Sequence, residues 1–142
     1  MKYIISALTV FLFVTAEIKA QTIEGTWQYK DDLRVTYFLD KEGKLCNKIV
    51  WLKEAKDENG NPKLDAKNPD KSLRNRPVIG MTSISGLKYK GNNIWEGGFA
   101  YDFESGRTYK CKLELVDANT IKLSAYFLGI PFSAEQKKVS IN

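Results

Sequence analysis

The chain has 142 residues, a formal net charge of +5 and no histidine. Without imidazole, Ser-His and Cys-His catalysis, imidazole-based zinc sites and proton shuttling near neutral pH are excluded. Its 22 basic residues are interleaved with 17 acids and form no polybasic block, so nucleic acid is not an expected partner.

Residues 1–20 read as a cleavable signal peptide. Lys2 supplies a positive start, Ile4 to Thr15 an apolar run of signal-core length, and Ile18-Lys19-Ala20 a cleavage site ending on a small residue. A membrane-spanning helix needs roughly 20 apolar residues, and Glu17 and Lys19 cut this run short. No cysteine follows the cut, which disfavours a lipid anchor. The expected product is exported, periplasmic or extracellular, with no integral membrane segment after cleavage. Residues 21–142 then make a single domain.

From residue 24 onward apolar side chains recur at every second position, the period of a strand. In LRVTYFLD, Leu33, Val35, Tyr37 and Leu39 share a face; in RTYKCKLELV, Tyr109, Cys111, Leu113 and Leu115 do. In IKLSAYFL the shared face holds Ile121, Leu123, Ala125 and Phe127. Turn signals separate the runs: KEG at 41–43, KGNN at 90–93, ESG at 104–106, DAN at 117–119 and GIP at 129–131. Strands are predicted over 24–30, 33–40, 44–52, 77–85, 94–101, 107–116, 120–128 and 132–141. No stretch carries a sustained helical period. The expected fold is all-β, a single antiparallel barrel of about eight strands, whose closure disposes of exposed edges.

One connection breaks the rhythm. Residues 53–76 are far more than a hairpin requires. NGNP at 59–62 is a turn cluster, and Pro69 and Pro77 restrict the backbone around them. Pro77 holds Arg76 extended, which sends Arg74 and Arg76 to the same side at the barrel rim. Asp65, Asn68, Arg74 and Arg76 then allow two readings. One is an anion or polar-headgroup site, since an arginine fork binds carboxylate or phosphate. The other is a clamp, in which Asp65 and Asn68 pair with the arginines to satisfy a loop that lacks ladder bonds. Arg76 is the expected clamp residue and Arg74 the expected ligand contact. Asp57, Asn59, Asn61 and Asp65 suggest a calcium loop, but Pro62 and Asn68 stand where such a loop needs glycine and glutamate. No metal is expected.

Trp51, Trp95, Tyr101 and Tyr109 either fill the barrel or line a ligand cavity, with the two tyrosine hydroxyls as polar handles. Gly97 and Gly98 inside a strand predict a bulge or sharp bend. The carboxylates available for acid–base chemistry are Glu96, Asp102 and Glu104. The last two lie at a turn, where acids serve conformation, and neither enzymatic activity nor a cofactor is expected. Cys46 and Cys111 are the only thiols; export permits a disulfide, whereas buried strand positions suit free thiols.

NPDKSLRNRPVIG, LKYKGNNIWEGGFAYDFESGRTYKCKLEL and YFLGIPF resemble a family of small exported bacterial proteins, the domain of unknown function numbered 2147. The resemblance runs from GTW at 25–27 towards residue 138. It implies a lipocalin-like, or calycin, barrel and export, and it brings no reaction. Gly25-Thr26-Trp27 matches the G-x-W that opens many such barrels. The tryptophan there closes the bottom and meets a basic side chain of the last strand by cation–π stacking; Lys138 is the cation available. Gly25, Trp27 and Gly80, the glycine ending NP…RP…G, are expected to be structural. Two positions depart from the family pattern. Asn47 stands where glycine is usual, and Gln136-Lys137-Lys138-Val139 where tryptophan followed by arginine is usual. The expected function is binding of a small apolar or amphiphilic molecule, with the basic rim reading its polar end. The alternative is an envelope module whose solid barrel docks a protein or glycan.

Overall fold

The computed structural model describes residues 23–140; the signal-peptide reading falls on residues outside them. Among the described residues there are nine strands: β1 Gly25–Tyr29, β2 Leu33–Leu39, β3 Leu45–Leu52, β4 Ile84–Ser85, β5 Lys88–Gly91, β6 Ile94–Asp102, β7 Arg107–Asp117, β8 Thr120–Phe127 and β9 Ile130–Lys138. All pairings are antiparallel, in the order β3-β2-β1-β9-β8-β7-β6-β4, with β5 also on β6. Pairing of β1 with β9 joins the first strand to the last, so the sheet curls into a nearly closed barrel.

The remaining seam lies between β3 and the segment leading into β5. Leu45 and Leu87 exchange backbone hydrogen bonds at 2.7 and 3.2 Å, and Gly80 N–H donates to the Ile49 carbonyl at 2.7 Å. Between these two contacts the wall is completed by a side chain. Asn47 Oδ1 accepts from Ser83 N–H at 3.2 Å, Ser83 Oγ at 2.8 Å and Ile84 N–H at 2.8 Å. The buried amide thus satisfies main-chain donors that would otherwise be orphaned in the wall.

This seam corrects the strand expected over 77–85. Only Ile84–Ser85 is ladder. Pro77 lacks an N–H, Gly80 takes φ of +96°, and Val78 and Met81 turn into the core instead of alternating. The strand Lys88–Gly91 was not anticipated, because its exposed KYKG residues show no apolar alternation.

The closed end holds the core. Trp27, Leu45, Leu87, Leu113 and Ile121 are fully buried, and burying each such side chain contributes about 1.5–3 kcal/mol. Trp27 Nε1 donates to the Ile23 carbonyl at 2.9 Å, and Lys138 Nζ sits 5.5 Å from the ring centroid. The plug foreseen from G-x-W is therefore in place, with lysine as its cation. Cys46 and Cys111 are buried free thiols on strands that are not neighbours, so the disulfide reading is not taken.

Residues 53–83 fold back on themselves twice. Lys56 bridges Pro62, with Asp57 Oδ1 accepting from the N–H groups of Asn59 and Asn61 at 2.9 Å each. This carboxylate caps a turn. Further on, Asp65 N–H donates to the Arg76 carbonyl at 3.0 Å and Val78 N–H to the Lys63 carbonyl at 2.9 Å. A single 3-10 turn, Lys71–Leu73, rounds the tip with Asp70 as its cap.

Candidate functional site

The barrel is packed at one end and hollow at the other. Above the packed half lies a cavity of about 680 Å³ that opens at the ends of β1, β3, β6 and the β8–β9 hairpin. Val35, Leu52, Ile84, Ala100, Leu123 and Ala125 form much of its wall, and Tyr109 and Phe132 flank the opening. Their rings meet edge to face, with centroids 5.4 Å apart. None of the fully buried residues of the closed end lines the cavity.

Asn47 and Gln136 form the polar part of its floor. Asn47 Oδ1 is committed to the wall, and its amide hydrogen-bonds Tyr37, its partner across β2 and β3. The Tyr37 hydroxyl donates in turn to Gln136 Oε1 at 3.3 Å. Burial pushes the Tyr37 phenol well above its ordinary range. The charged residues at the mouth are Asp32, Lys53, Glu54, Lys63, Asp102 and Glu104. Lys63 Nζ lies 3.7 Å from Glu104 and 5.3 Å from the Phe103 ring centroid, while Asp102 caps its own turn through Glu104 N–H at 3.0 Å and Ser105 Oγ at 2.6 Å.

The basic rim expected from Arg74 and Arg76 is not there. Neither lines the cavity. Asp65, whose side chain is 0% exposed, gathers the opening constellation around itself. Its Oδ2 accepts from Arg76 Nε at 3.0 Å, Arg76 Nη2 at 2.9 Å and Asn68 Nδ2 at 2.7 Å. Its Oδ1 accepts from the Tyr101 hydroxyl at 2.6 Å. Arg74 Nε donates to the Asn68 carbonyl at 2.7 Å. The geometry is that of a clamp, which ties the long loop to β6 through Tyr101. Tyr101 alone of this network lines the cavity. Its phenol is pushed up to about 12 by desolvation and then by the bond to the Asp65 carboxylate. The same loop rests on the β6–β7 turn at Gly106, where a Cβ would run into the Lys67 carbonyl oxygen.

Of the aromatics, Tyr101 and Tyr109 reach the cavity, and Trp51 and Trp95 do not. The reason for Trp51 is a bulge. Val35 pairs with Ile49 but Arg34 with Trp51, so Val50 is an extra residue. The added residue reverses the faces after Ile49: Leu52 turns inward and Trp51, 37% exposed, lies under the Arg34 guanidinium at 4.9 Å. Trp95 belongs to the buried core, with the Tyr89 ring 4.9 Å away. The bulge foreseen at Gly97 and Gly98 is present between Trp95 and Gly98. Glu96 stands beside it, lining an outer groove and not the cavity.

Asn47 and Gln136 were not singled out from the sequence as site residues. The available signal was phase: each is polar at a position where the alternation calls for an inward side chain.

The sequence model of a family described as an uncharacterized protein conserved in bacteria, DUF2147, matches residues 25–138. Among solved structures, protein HP1028 from the human pathogen Helicobacter pylori, described as belonging to the lipocalin family, is 24% identical. It superposes with a TM-score of 0.71 over 84% of each chain. No curated protein matches.

Proposed function

The chain belongs to the DUF2147 family of bacterial proteins and folds as a lipocalin-like barrel, and from this premise we propose that it binds a small, largely apolar molecule in the open half of the barrel. The observation that carries the reading is the cavity. Its volume of about 680 Å³ lies in the range typical of small-molecule sites, which combine apolar walls with a few convergent polar groups. The reading is of a non-enzymatic binding protein, exported after removal of residues 1–20 and acting in the periplasm or outside the cell.

A second reading, a module that docks another envelope component, is favoured by one feature. The β8–β9 hairpin tip presents Leu128 and Ile130 at 86% and 69% exposure, and apolar patches of this kind often mark interaction surfaces.

Native mass spectrometry of the protein purified from its own envelope fraction without detergent, followed by solvent extraction, tests the first reading. The expected result is a chain beginning at Gln21 that carries a reproducible adduct of lipid size. Tryptophan quenching is a poor reporter, because none of Trp27, Trp51 and Trp95 lines the cavity. Emission of N-phenyl-1-naphthylamine is used instead. Absence of both an adduct and a saturable emission increase overturns the binding reading, and a chain still carrying residues 1–20 overturns export with cleavage.

A further inference from the structure

The cavity floor has a direction, set by a chain of hydrogen bonds that begins in the barrel wall. Three donors, two of them backbone or hydroxyl groups of Ser83 and the third the Ile84 N–H, converge on Asn47 Oδ1. That fixes which end of the Asn47 amide is oxygen, so its nitrogen is the end left for Tyr37, its partner across β2 and β3. The Tyr37 hydroxyl gives its proton to Gln136 Oε1 at 3.3 Å. The carbonyl end of Gln136 is thereby assigned to Tyr37, and its nitrogen, Nε2, is left for something else.

That something is in the cavity. Gln136 is 4% exposed and lines the cavity, and no hydrogen bond to its Nε2 is found among the described residues. Among the described residues every side-chain nitrogen or oxygen fully occluded from solvent has a partner, so Nε2 is open to solvent, and Gln136 meets it along the cavity. Water satisfies this donor when the site is empty. A ligand that displaces the water without replacing its acceptor leaves a buried donor unpaired, which is costly.

The acceptor is also constrained in charge. The lysines lining the cavity, Lys53 and Lys63, are among the charged residues of the mouth, and Lys63 faces Glu104. The floor itself offers amides and hydroxyls. A carboxylate pressed against Gln136 would be buried with no cation beside it, and desolvation would outweigh one hydrogen bond.

We propose that Gln136 Nε2 is the ligand-reading donor of the cavity, and that the molecule taken up is a neutral carbonyl compound, an ester, ketone or amide, oriented carbonyl-inward with its apolar body towards Tyr109 and Phe132. The inference rests on the binding reading above and deepens it by naming the ligand class.

The test uses N-phenyl-1-naphthylamine, which has no carbonyl, as a direct probe, with methyl octanoate and octanoate as competitors. In the wild type, methyl octanoate displaces the probe at least about tenfold more effectively than octanoate. Gln136→Leu weakens methyl octanoate about three- to tenfold relative to the probe, whose own affinity is measured in each variant, the size of one neutral hydrogen bond. Gln136→Met keeps a weak thioether acceptor for Tyr37, removes the donor and weakens the ester likewise. It serves where the leucine variant, which orphans the Tyr37 hydroxyl, fails to fold. Failure of the wild type to bind the probe overturns the binding reading and this inference together. Probe binding in which octanoate competes as well as its ester, or in which folded variants bind the ester as the wild type does, overturns the assignment of Gln136 alone.

Discussion

Replacing Arg76 with alanine removes two of the four hydrogen bonds that hold Asp65, at 2.9 and 3.0 Å, and all of its charge compensation. Breaking one side of a buried pair costs about 3–5 kcal/mol. The Arg76 side chain is 35% exposed, so truncation lets water reach the carboxylate, and solvent offsets part of the loss. The expected destabilisation is about 2–3 kcal/mol, which in a domain of this size lowers the melting temperature by roughly 8–12 °C. Asp65→Asn weakens the same bonds from the other side by about 1–3 kcal/mol. Because both changes strike one interaction, the double variant should be less than additive by at least about 1 kcal/mol. Urea unfolding of the four proteins, read as midpoint shifts at constant slope, measures each of these quantities. Arg76→Ala melting within about 1 °C of the wild type, or strictly additive losses, would refute the clamp. Arg74, with a single bond from Nε to the Asn68 carbonyl, should cost about 1 kcal/mol on truncation.

Two further outcomes follow from other parts of the fold. Gly106 and Gly43 take nearly the same backbone angle, φ of +72° and +75°, but a Cβ meets the Lys67 main chain at the first and open space at the second. Gly43→Ala should therefore cost about 1–2 kcal/mol of left-handed strain, and Gly106→Ala roughly 1–3 kcal/mol more for the backbone clash; equal losses in thermal melts would mean that the long loop does not rest on this turn. At high pH the phenol of Tyr101 keeps its proton in the folded chain up to about 12, against 10.0 when unfolded. Burial likewise holds the Cys111 thiol up to about 12 against 9.0. A raised folded-state value means that stability is intact below the unfolded value and falls as pH rises through the folded one. Urea midpoints should drop between about pH 9 and 12, less steeply in Tyr101→Phe, and an unchanged slope in that variant would contradict the raised Tyr101 phenol, which desolvation and the Asp65 carboxylate together produce.

Much of the architecture was legible locally. Alternation at period two marks β2, β7 and β8, because each successive side chain of an extended backbone points to the opposite face. The pairing of Lys138 with Trp27 was implied by the resemblance of G-x-W to the opening of lipocalin-like barrels, and the bulge in β6 followed from Gly97 and Gly98. Arg76 as a clamp residue was readable because Pro77 fixes the backbone beside it and a long loop must satisfy its own polar groups.

The candidate site was legible only in fragments, since it depends on residues far apart in the chain. One extra residue, Val50, turns Trp51 from the interior to the surface, and periodicity carries no sign of it because the pattern on either side stays regular. Asp65 lies 36 positions from Tyr101 and Asn47 36 from Ser83; neither pairing has a local signature. Ala100 of β6 and Ala125 of β8 come to line the same cavity, a volume that belongs to the closed barrel and to no single strand. The direction of the Gln136 amide is more distant still. It is set by main-chain donors across the seam and relayed through Asn47 and Tyr37, so that the chain alone determined a barrel with a plugged end, and only its closure decided which polar group faces the open one.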